Sequence, residues 1–294
     1  MNQRLDRYSR SLWEYRWAPY GRVHPGLSRY SQARSHHSCS RTKGFTLLEL
    51  LAVIAIISVL ATLISTALNQ TKARAQQMSC LNNLRQLQMG WILYAEDNDD
   101  YLPLNRTEPS SNEALYGRRN TAESWVAGNP KEDVSTANIE RGSLFRYVKN
   151  PNAYRCLADP GKVWVQKTAR RTRSYSMSAY LGADWEFPQM KSKLSEIQNQ
   201  RPSKIFVFIE EDMLSPWHGG FVVMPLDRSI LLSANSGSLP GTWHNGGTDL
   251  SFADGHVEFW RWSSEKPNSS VSSPSLLRYQ LQDVQRLQEA IPKP

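Results

Sequence analysis

The stretch KGFTLLELLAVIAIISVLATLISTALNQT, residues 43–71, decides the class of this chain. From Leu50 to Thr71 the sequence runs for 22 residues without a charged side chain. Its apolar part is long enough to cross the hydrocarbon layer as one helix, which bonds its backbone N–H and C=O groups internally. The sequence therefore predicts a single membrane-spanning helix near the N-terminus.

Basic residues stand immediately before this span. Arg41 and Lys43 precede the first apolar residue, Phe45. Because Lys and Arg next to a span are retained on the cytoplasmic side, residues 1–44 are expected to face the cytoplasm. Everything after the span is then expected to be extracytoplasmic.

The net charge of +8 is concentrated before the span. Residues 1–44 contain nine Lys and Arg against Asp6 and Glu14, so about +1 remains for the rest of the chain. A nucleic-acid-binding head would need a basic surface of its own. We therefore expect no nucleic-acid partner.

One acidic residue lies inside the apolar run. An ionised Glu49 in hydrocarbon needs a partner of opposite charge. If the chain is cut after Gly44, the new α-amino group of Phe45 lies one helical turn before Glu49 and supplies that charge, within the chain or on a neighbouring subunit. We interpret this pairing as an assembly device.

Two other interpretations of the span are possible. An ordinary signal peptide cleaved after Ala73-Arg74-Ala75 would have a shorter apolar core. An unprocessed single-span anchor would leave Glu49 without an explanation. Both fit the residues less well than cleavage after Gly44.

Residues 43–61, KGFTLLELLAVIAIISVLA, resemble the prepilin-type cleavage and methylation signature of type IV pilins and type II secretion pseudopilins. Carried over by position, the resemblance implies cleavage between Gly44 and Phe45, N-methylation of Phe45, and a role for Glu49 in subunit assembly. The implied partners are a prepilin peptidase, other pilin-like subunits in a homo- or hetero-filament, and a secretion or pilus assembly platform at the inner membrane.

A second resemblance lies near the other end of the chain. His244 is followed by nine residues and then by Asp254-Gly255, similar to the H-x9-DG motif of a large-headed pseudopilin-like subgroup. Residues 80–103 and 154–160 resemble the same subgroup, although Leu157 stands where a proline often follows the second cysteine. The motif supports the family independently of the N-terminus.

The cysteines form an even pair once the leader is removed. Cys39 lies within residues 1–44, which leaves Cys80 and Cys156 in a compartment where disulfides persist. Sequence separation does not show whether the two Cβ atoms meet. The sequence is compatible both with a disulfide and with two free, partly buried thiols.

Periodicity predicts the rest of the fold. Apolar residues at steps of three or four, without Gly or Pro up to residue 89, predict that the span continues as an amphipathic helix to about residue 97; they are Met78, Leu81, Leu84, Leu87, Trp91 and Tyr94. Strands are predicted at residues 163–165, 174–179, 205–209 and 221–224. Residues 105–142 are expected to form surface loops with at most a short helix.

A hairpin is predicted around Asp254-Gly255, a pair that suits a two-residue type I′ turn. This turn would pair Ala253 with His256, Phe252 with Val257 and Leu250 with Phe259. Leu250, Phe252, Val257 and Phe259 would then share the core face, while Ser251, His256 and Glu258 point away from it.

Several histidines and acids could bind a metal ion, but the sequence favours no metal site. His244, Asp254 and His256, with His218, offer ligands for a membrane-anchored, extracytoplasmic metal-dependent enzyme or ligand-binding protein, which is the alternative function. Because Asp254 is committed to the turn, we expect no metal and no catalytic residue.

The acidic run at 97–100 lacks the spacing of a calcium loop and is expected to be solvated. A carbohydrate-binding face built from tryptophans is a weaker third idea.

The sequence thus predicts an α+β, pilin-like fold, in which a long N-terminal α-helix, transmembrane and then amphipathic, packs on a β-rich antiparallel head. The expected segments are a removed leader at 1–44, the helix at 45–98, the head at 99–262, and a linker with a short C-terminal helix at 263–294. The expected function is that of a structural filament subunit without a cofactor, rather than an enzyme.

Overall fold

The computed structural model describes residues 44–110, 117–183, 188–215, 219–223, 238–263 and 281–294. Its contacts divide the chain into two units, Met1–Ala55 and Ile56–Pro294. Residues 1–43 of the leader, with Cys39, the candidate ligand His218, and two of the tryptophans, Trp185 and Trp217, lie outside the described residues.

The first element is one continuous helix, α1, Leu47–Asp97, of 51 residues. This confirms that the apolar span and the amphipathic segment form a single helix, which ends at Asp97, the first residue of the acidic run. Among the described residues, α1 is the helix long and apolar enough to cross a membrane, with an apolar stretch of mean hydropathy 2.8 that is not buried. The large apolar side chains from Leu47 to Leu68 are exposed.

The second half of α1 is buried on one side. Cys80, Leu84, Leu87 and Trp91 are fully buried, as their spacing predicts. Met78 was expected on the same face but is 67% exposed, because full burial along this face begins only at Cys80. The apolar core of the head therefore covers α1 from Cys80 onward.

A five-stranded sheet forms the centre of the head, in the order β5-β3-β4-β6-β7. The strands are β3 Tyr175–Ser178, β4 Phe206–Glu210, β5 Gly220–Phe221, β6 Gly247–Phe252 and β7 Val257–Arg261. Neighbours are antiparallel except β3 and β5, which are parallel, so the sheet is mixed rather than purely antiparallel.

The strand predictions are confirmed in part. β3 and β4 lie where residues 174–179 and 205–209 predict strands, whereas β5 covers only the beginning of 221–224, and Met224 lies outside the described residues. Residues 163–165 do not form a strand. Val163 N donates to Ala169 O at 3.0 Å, so this segment closes a local loop instead of joining the sheet.

Smaller elements surround the sheet. They are the antiparallel pair β1 Thr107–Pro109 and β2 Arg118–Asn120, the short helices α2 Ala137–Arg141, α3 Phe145–Val148 and α4 Leu194–Gln198, and the C-terminal helix α5 Leu281–Glu289. The expectation that residues 105–142 form only surface loops is wrong. Trp125 in this stretch is fully buried, and its ring centroid lies 5.0 Å from that of Phe208.

The sheet is covered on both faces. One face packs with Leu84, Leu87 and Trp91 of α1 in a first apolar cluster. On the other face, Leu250 and Phe252 pack with Leu287 of α5 in a second cluster. β6 lies between β4 and β7 and is covered on both of its faces. All six of its residues are therefore buried.

The β6–β7 hairpin is offset by one residue from the predicted register. Ser251 pairs with Val257, and Leu250 pairs with Glu258. Phe252 N donates to His256 O at 3.0 Å, which encloses a three-residue loop. Within it only Gly255 has a positive φ, +98°, whereas a type I′ turn requires two such residues.

This offset changes the two faces of the hairpin. Leu250 and Phe252 face α5, while Val257 packs on the α1 side, so the predicted core set is divided between two layers. Ser251, expected on the outer side, is buried and donates to Gln88 Oε1 of α1 at 2.8 Å.

Candidate functional site

The N-terminus of α1 is closed by a reciprocal pair of side chains. Thr46 N and Thr46 Oγ1 both donate to Glu49 Oε2 at 2.9 Å, and Glu49 N donates to Thr46 Oγ1 at 3.2 Å. This is a capping box, which satisfies N–H groups that have no partner inside the helix. The T-x-x-E spacing is visible in the sequence, but sequence reasoning assigned Glu49 only to assembly and overlooked Thr46.

The residues just before the helix are accessible. Gly44, Phe45 and Thr46 have no regular secondary structure, and Phe45 is 71% exposed. Within the part of the chain that the structure describes, a Cβ atom at Gly44 would meet no atom within 4 Å. The backbone between Gly44 and Phe45 is therefore open to another molecule.

The histidine of the C-terminal motif lies in the interior. His244 precedes β6, and its Nε2 atom lies 3.1 Å from Cys156 Sγ, 3.1 Å from Glu210 Oε1 and 3.5 Å from Asp249 Oδ2. Glu210 ends β4, and Asp249 lies in the neighbouring β6. All four residues are buried, so the motif histidine contacts two acids and a sulfur within the core.

A disulfide lies beside this histidine. The structure joins Cys80 of α1 to Cys156, with Cα atoms 5.0 Å apart, and the two residues are 76 positions apart in sequence. Tyr175 Oη donates to Cys80 O at 3.2 Å, and Cys156 N donates to Ser174 Oγ at 3.0 Å. The bond connects the second half of α1 to the segment that leads into β3.

A buried ion pair supports the loop that carries His244. Arg171 Nε donates to Asp159 Oδ2, and the two side chains are each 1% exposed. Arg171 Nη2 also donates to Glu211 O at 2.6 Å, and the guanidinium lies 5.1 Å from the centre of the Trp243 ring. Asp159 and Arg171 thereby connect the Cys156 segment to the residue next to His244.

Burial sets the ionisation of the cluster. Burial, reinforced by the charge of Glu210, raises the pKa of Asp249 to about 8, and burial also raises the pKa of Glu210. Burial by itself lowers the pKa of His244, but Glu210 and Asp249 outweigh it and the net shift is upward. The cluster therefore retains protons that the same groups would release in water.

These shifts predict a pH-dependent stability for the disulfide form. An acid whose folded pKa is raised, such as Asp249, binds more protons folded than unfolded between about pH 4 and about pH 8, so the free energy of unfolding falls as pH rises. The raised pKa of His244 acts in the same direction, because its contribution is lost above its folded pKa. Denaturant unfolding is expected to show a more stable protein at about pH 5 than at about pH 8.

Asp249→Asn isolates the acid responsible. The variant is expected to flatten the fall in stability with rising pH, since an asparagine side chain has no proton to lose, while Glu210, His244 and the neighbouring Asp159 are unchanged. Glu108→Gln, at an exposed ion pair with Arg119, serves as the control and should keep the wild-type profile. Equal slopes for Asp249→Asn and the wild type would contradict this assignment.

The three residues of the alternative metal site do not come together. Asp254 Oδ1 accepts from His256 N at 3.2 Å and lies 2.5 Å from His256 Nδ1 at the partly exposed end of the hairpin. Among the described residues, the ligand-type atoms grouped with His244 belong to Cys80, Cys156 and Glu210 instead. Glu210 and Asp249 were not identified from the sequence, because their meeting depends on the pairing of β4 with β6.

The acidic run after α1 has a structural contact of its own. Asp99 and Asp100 have positive φ values, 52° and 70°. Asp100 Oδ1 accepts from Ser195 N at 3.1 Å, at the beginning of α4. Asp100 is thus engaged with the head at this position.

Comparison with known proteins agrees with this architecture. Residues 39–65 match the family model described as the prokaryotic N-terminal methylation motif. Over 118 residues, 36% of this chain and 81% of the relative, the chain is 29% identical to the type II secretion system core protein G of Aeromonas hydrophila. No solved structure matches the chain. The chain thus carries a prepilin-type N-terminal motif ahead of a long apolar helix and an α+β head, and it is similar to a type II secretion pseudopilin over about a third of its length.

Proposed function

We propose that this chain is a structural subunit of a type II secretion pseudopilus or a type IV pilus-like filament. The observation that carries the proposal is the methylation motif of residues 39–65, placed at the start of a 51-residue helix whose apolar side chains are exposed. An exposed apolar helix requires a covering, which lipid supplies before assembly and neighbouring subunits supply within a filament.

Processing at the helix start follows from the same motif. A prepilin peptidase cuts between Gly44 and Phe45, the leader of residues 1–44 is removed, and Phe45 is N-methylated. The accessible backbone at Gly44 and Phe45 supports this step. The mature chain then comprises the helix at 45–98, the head at 99–262, and the linker with its short helix at 263–294.

The proposed location is the inner membrane, crossed once by α1. The N-terminus is cytoplasmic and the head extracytoplasmic, as the basic residues Arg41 and Lys43 support. The partners are other pilin-like subunits and a secretion or pilus assembly platform. We propose assembly rather than catalysis as the mechanism, and we assign no catalytic residue.

Mass spectrometry of the mature N-terminus tests this function. Co-expression with a prepilin peptidase is expected to yield a chain that begins at methylated Phe45. Gly44→Leu should abolish cleavage, because the bulky side chain occupies the position before the cut. The matched control, Ala75→Leu, should be processed like the wild type. A chain that begins at Gln76, or one that keeps residues 1–44 in the presence of the peptidase, would overturn the proposal.

The alternative function, a metal-dependent envelope enzyme built on His244, Asp254 and His256, is not favoured. Asp254 and His256 contact each other at the end of the hairpin, whereas His244 is buried with Glu210 and Asp249. No arrangement of these three residues around one centre is present among the described residues.

A further inference from the structure

Three ligand-type atoms converge on the Nε2 nitrogen of His244. Cys156 Sγ and Glu210 Oε1 each lie 3.1 Å from it, and Asp249 Oδ2 lies at 3.5 Å. A ring nitrogen carries at most one hydrogen. A buried sulfur, two buried acids and one imidazole nitrogen together also form a set of donor atoms that a metal ion can use.

The surroundings of His244 are unusually polar for a buried position. Glu210 and Asp249 are two buried carboxyl groups that share one imidazole. A neutral disulfide packed in an apolar core requires none of these polar groups, and burying them costs free energy unless a strong partner is present. A divalent cation would be such a partner.

The distances suit a metal ion in place of the hydrogen. The sulfurs of Cys80 and Cys156, a carboxylate oxygen of Glu210 and a nitrogen of His244 all lie within 4.8 Å of one another. In a tetrahedral zinc site with bonds of about 2.0–2.3 Å, the nitrogen lies about 3.3–3.6 Å from the other ligand atoms. The separations of 3.1 Å from Nε2 to sulfur and to oxygen differ from this by a few tenths of an ångström.

We propose that the chain with reduced cysteines binds one Zn²⁺ through Cys80, Cys156, His244 and Glu210, and that formation of the disulfide abolishes this site. Thiolate and imidazole ligands in a closed, four-coordinate set are the donors that structural zinc prefers. Asp249 is not one of the four ligands, but its Oδ2 atom lies 3.5 Å from the ligand nitrogen, where a negative charge favours a cation. The inference does not depend on filament assembly.

The two states exchange by balanced chemistry. A dithiol reductant passes two electrons and two protons to the Cys80–Cys156 bond and becomes a disulfide itself, which leaves two thiols. Zn²⁺ then displaces the two thiol protons into solvent. Exchange with a disulfide-donating protein reverses the sequence: the two thiolates give up two electrons and re-form the protein disulfide, the donor takes those electrons and two protons from solvent to become a dithiol, and Zn²⁺ is released.

An entry path to the cluster exists in the head. A cavity of about 700 Å³ is lined by His244 and Trp243, by Gln77 and Arg74 of α1, and by Phe259 of β7. Its walls include polar side chains, so it can admit a hydrated ion or a small reductant. A metal site needs such a route as well as ligands.

The test compares the reduced and the oxidised full-length chain in detergent, in a Cys39→Ser background that removes the third cysteine. Each form is incubated with Zn²⁺, desalted, and analysed for metal content. We expect one zinc per reduced chain and none above background in the oxidised chain. With Co²⁺ the reduced chain should show thiolate-to-metal charge-transfer bands and the visible bands of tetrahedral coordination.

Variants identify the ligands. His244→Ala should lose the metal, whereas the matched control His256→Ala, at the hairpin end, should keep it. Asp249→Asn should weaken zinc binding without abolishing it, because it removes a negative charge beside the site but none of the four ligands. If His244→Ala does not fold, the comparison of the two redox states in the Cys39→Ser chain decides alone. Equal zinc in the two forms, no zinc in the reduced form, or equal loss in both histidine variants would overturn the proposal.

Discussion

A Glu49→Gln chain is expected to be inserted, cut and methylated normally, yet to be at least tenfold depleted from isolated filaments. Glutamine has nearly the shape of glutamate but no charge, so the amino group of the mature Phe45 loses its counter-ion. In hydrocarbon an unpaired amine is costly, and each added subunit would bring one. Quantifying the variant in the filament and membrane fractions measures the loss.

The capping box supplies a sharp control for this result. Glu49 also accepts from Thr46 N and Thr46 Oγ1, and glutamine at the same position can accept these hydrogen bonds. Glu49→Val removes the charge and the cap together, whereas Thr46→Val removes only the hydroxyl part of the box. The charge hypothesis requires Glu49→Gln and Glu49→Val to fail together while Thr46→Val assembles.

The opposite pattern would mean that Glu49 acts by stabilising the start of the helix. If Glu49→Gln enters filaments at the wild-type level and Glu49→Val does not, the residue acts by capping α1. The assembly role of the carboxylate would then be wrong. Because cleavage at Gly44 is measured separately, this outcome leaves the processing proposal intact.

The elements that the sequence predicts well are those fixed by local pattern. The charge-free run and the three- or four-residue spacing of Leu84, Leu87 and Trp91 set the course of α1. The apolar run at 205–209 marks β4, which is buried on both faces. In each case neighbouring residues alone carry the information.

The hairpin shows where local pattern becomes insufficient. Asp254-Gly255 suits a two-residue turn, but the structure forms a three-residue loop with only Gly255 at positive φ. The length of the loop depends on which side chains of β6 pack against α1 on one face and against α5 on the other. Ser251 gains a buried partner in Gln88 of α1, a contact between residues 163 positions apart.

The buried cluster is beyond sequence reasoning for the same reason. The H-x9-DG pattern singles out His244, but its neighbours come from α1, from the Cys156 segment and from two strands paired across the sheet. The acids of the run FVFIEED, residues 206–212, could have been noted as charges next to a buried strand. Only the order of β4 and β6 shows that Glu210 meets Asp249.

Asp159→Ala is expected to lower the free energy of unfolding by about 3–5 kcal/mol, the loss typical when one partner of a buried ion pair is removed. Asp159 accepts from Arg171 Nε, from Ser174 Oγ at 2.5 Å and from Gly161 N at 2.7 Å. Its removal leaves the buried Arg171 guanidinium without the carboxylate that it contacts directly. Denaturant unfolding of the detergent-solubilised chain, followed by tryptophan fluorescence, measures the change.

Two comparisons separate the burial of the charge from the loss of packing. Glu108→Ala breaks an exposed ion pair with Arg119 and should cost less than about 1 kcal/mol. The double variant Asp159→Leu with Arg171→Met removes both charges, so its loss should be smaller than the sum of the losses of Asp159→Leu alone and Arg171→Met alone. Additive losses would mean that the two residues do not act as a pair. Because the Arg171 guanidinium also lies 5.1 Å from the centre of the Trp243 ring, we expect the pair to stabilise the segment that leads to the motif histidine, His244.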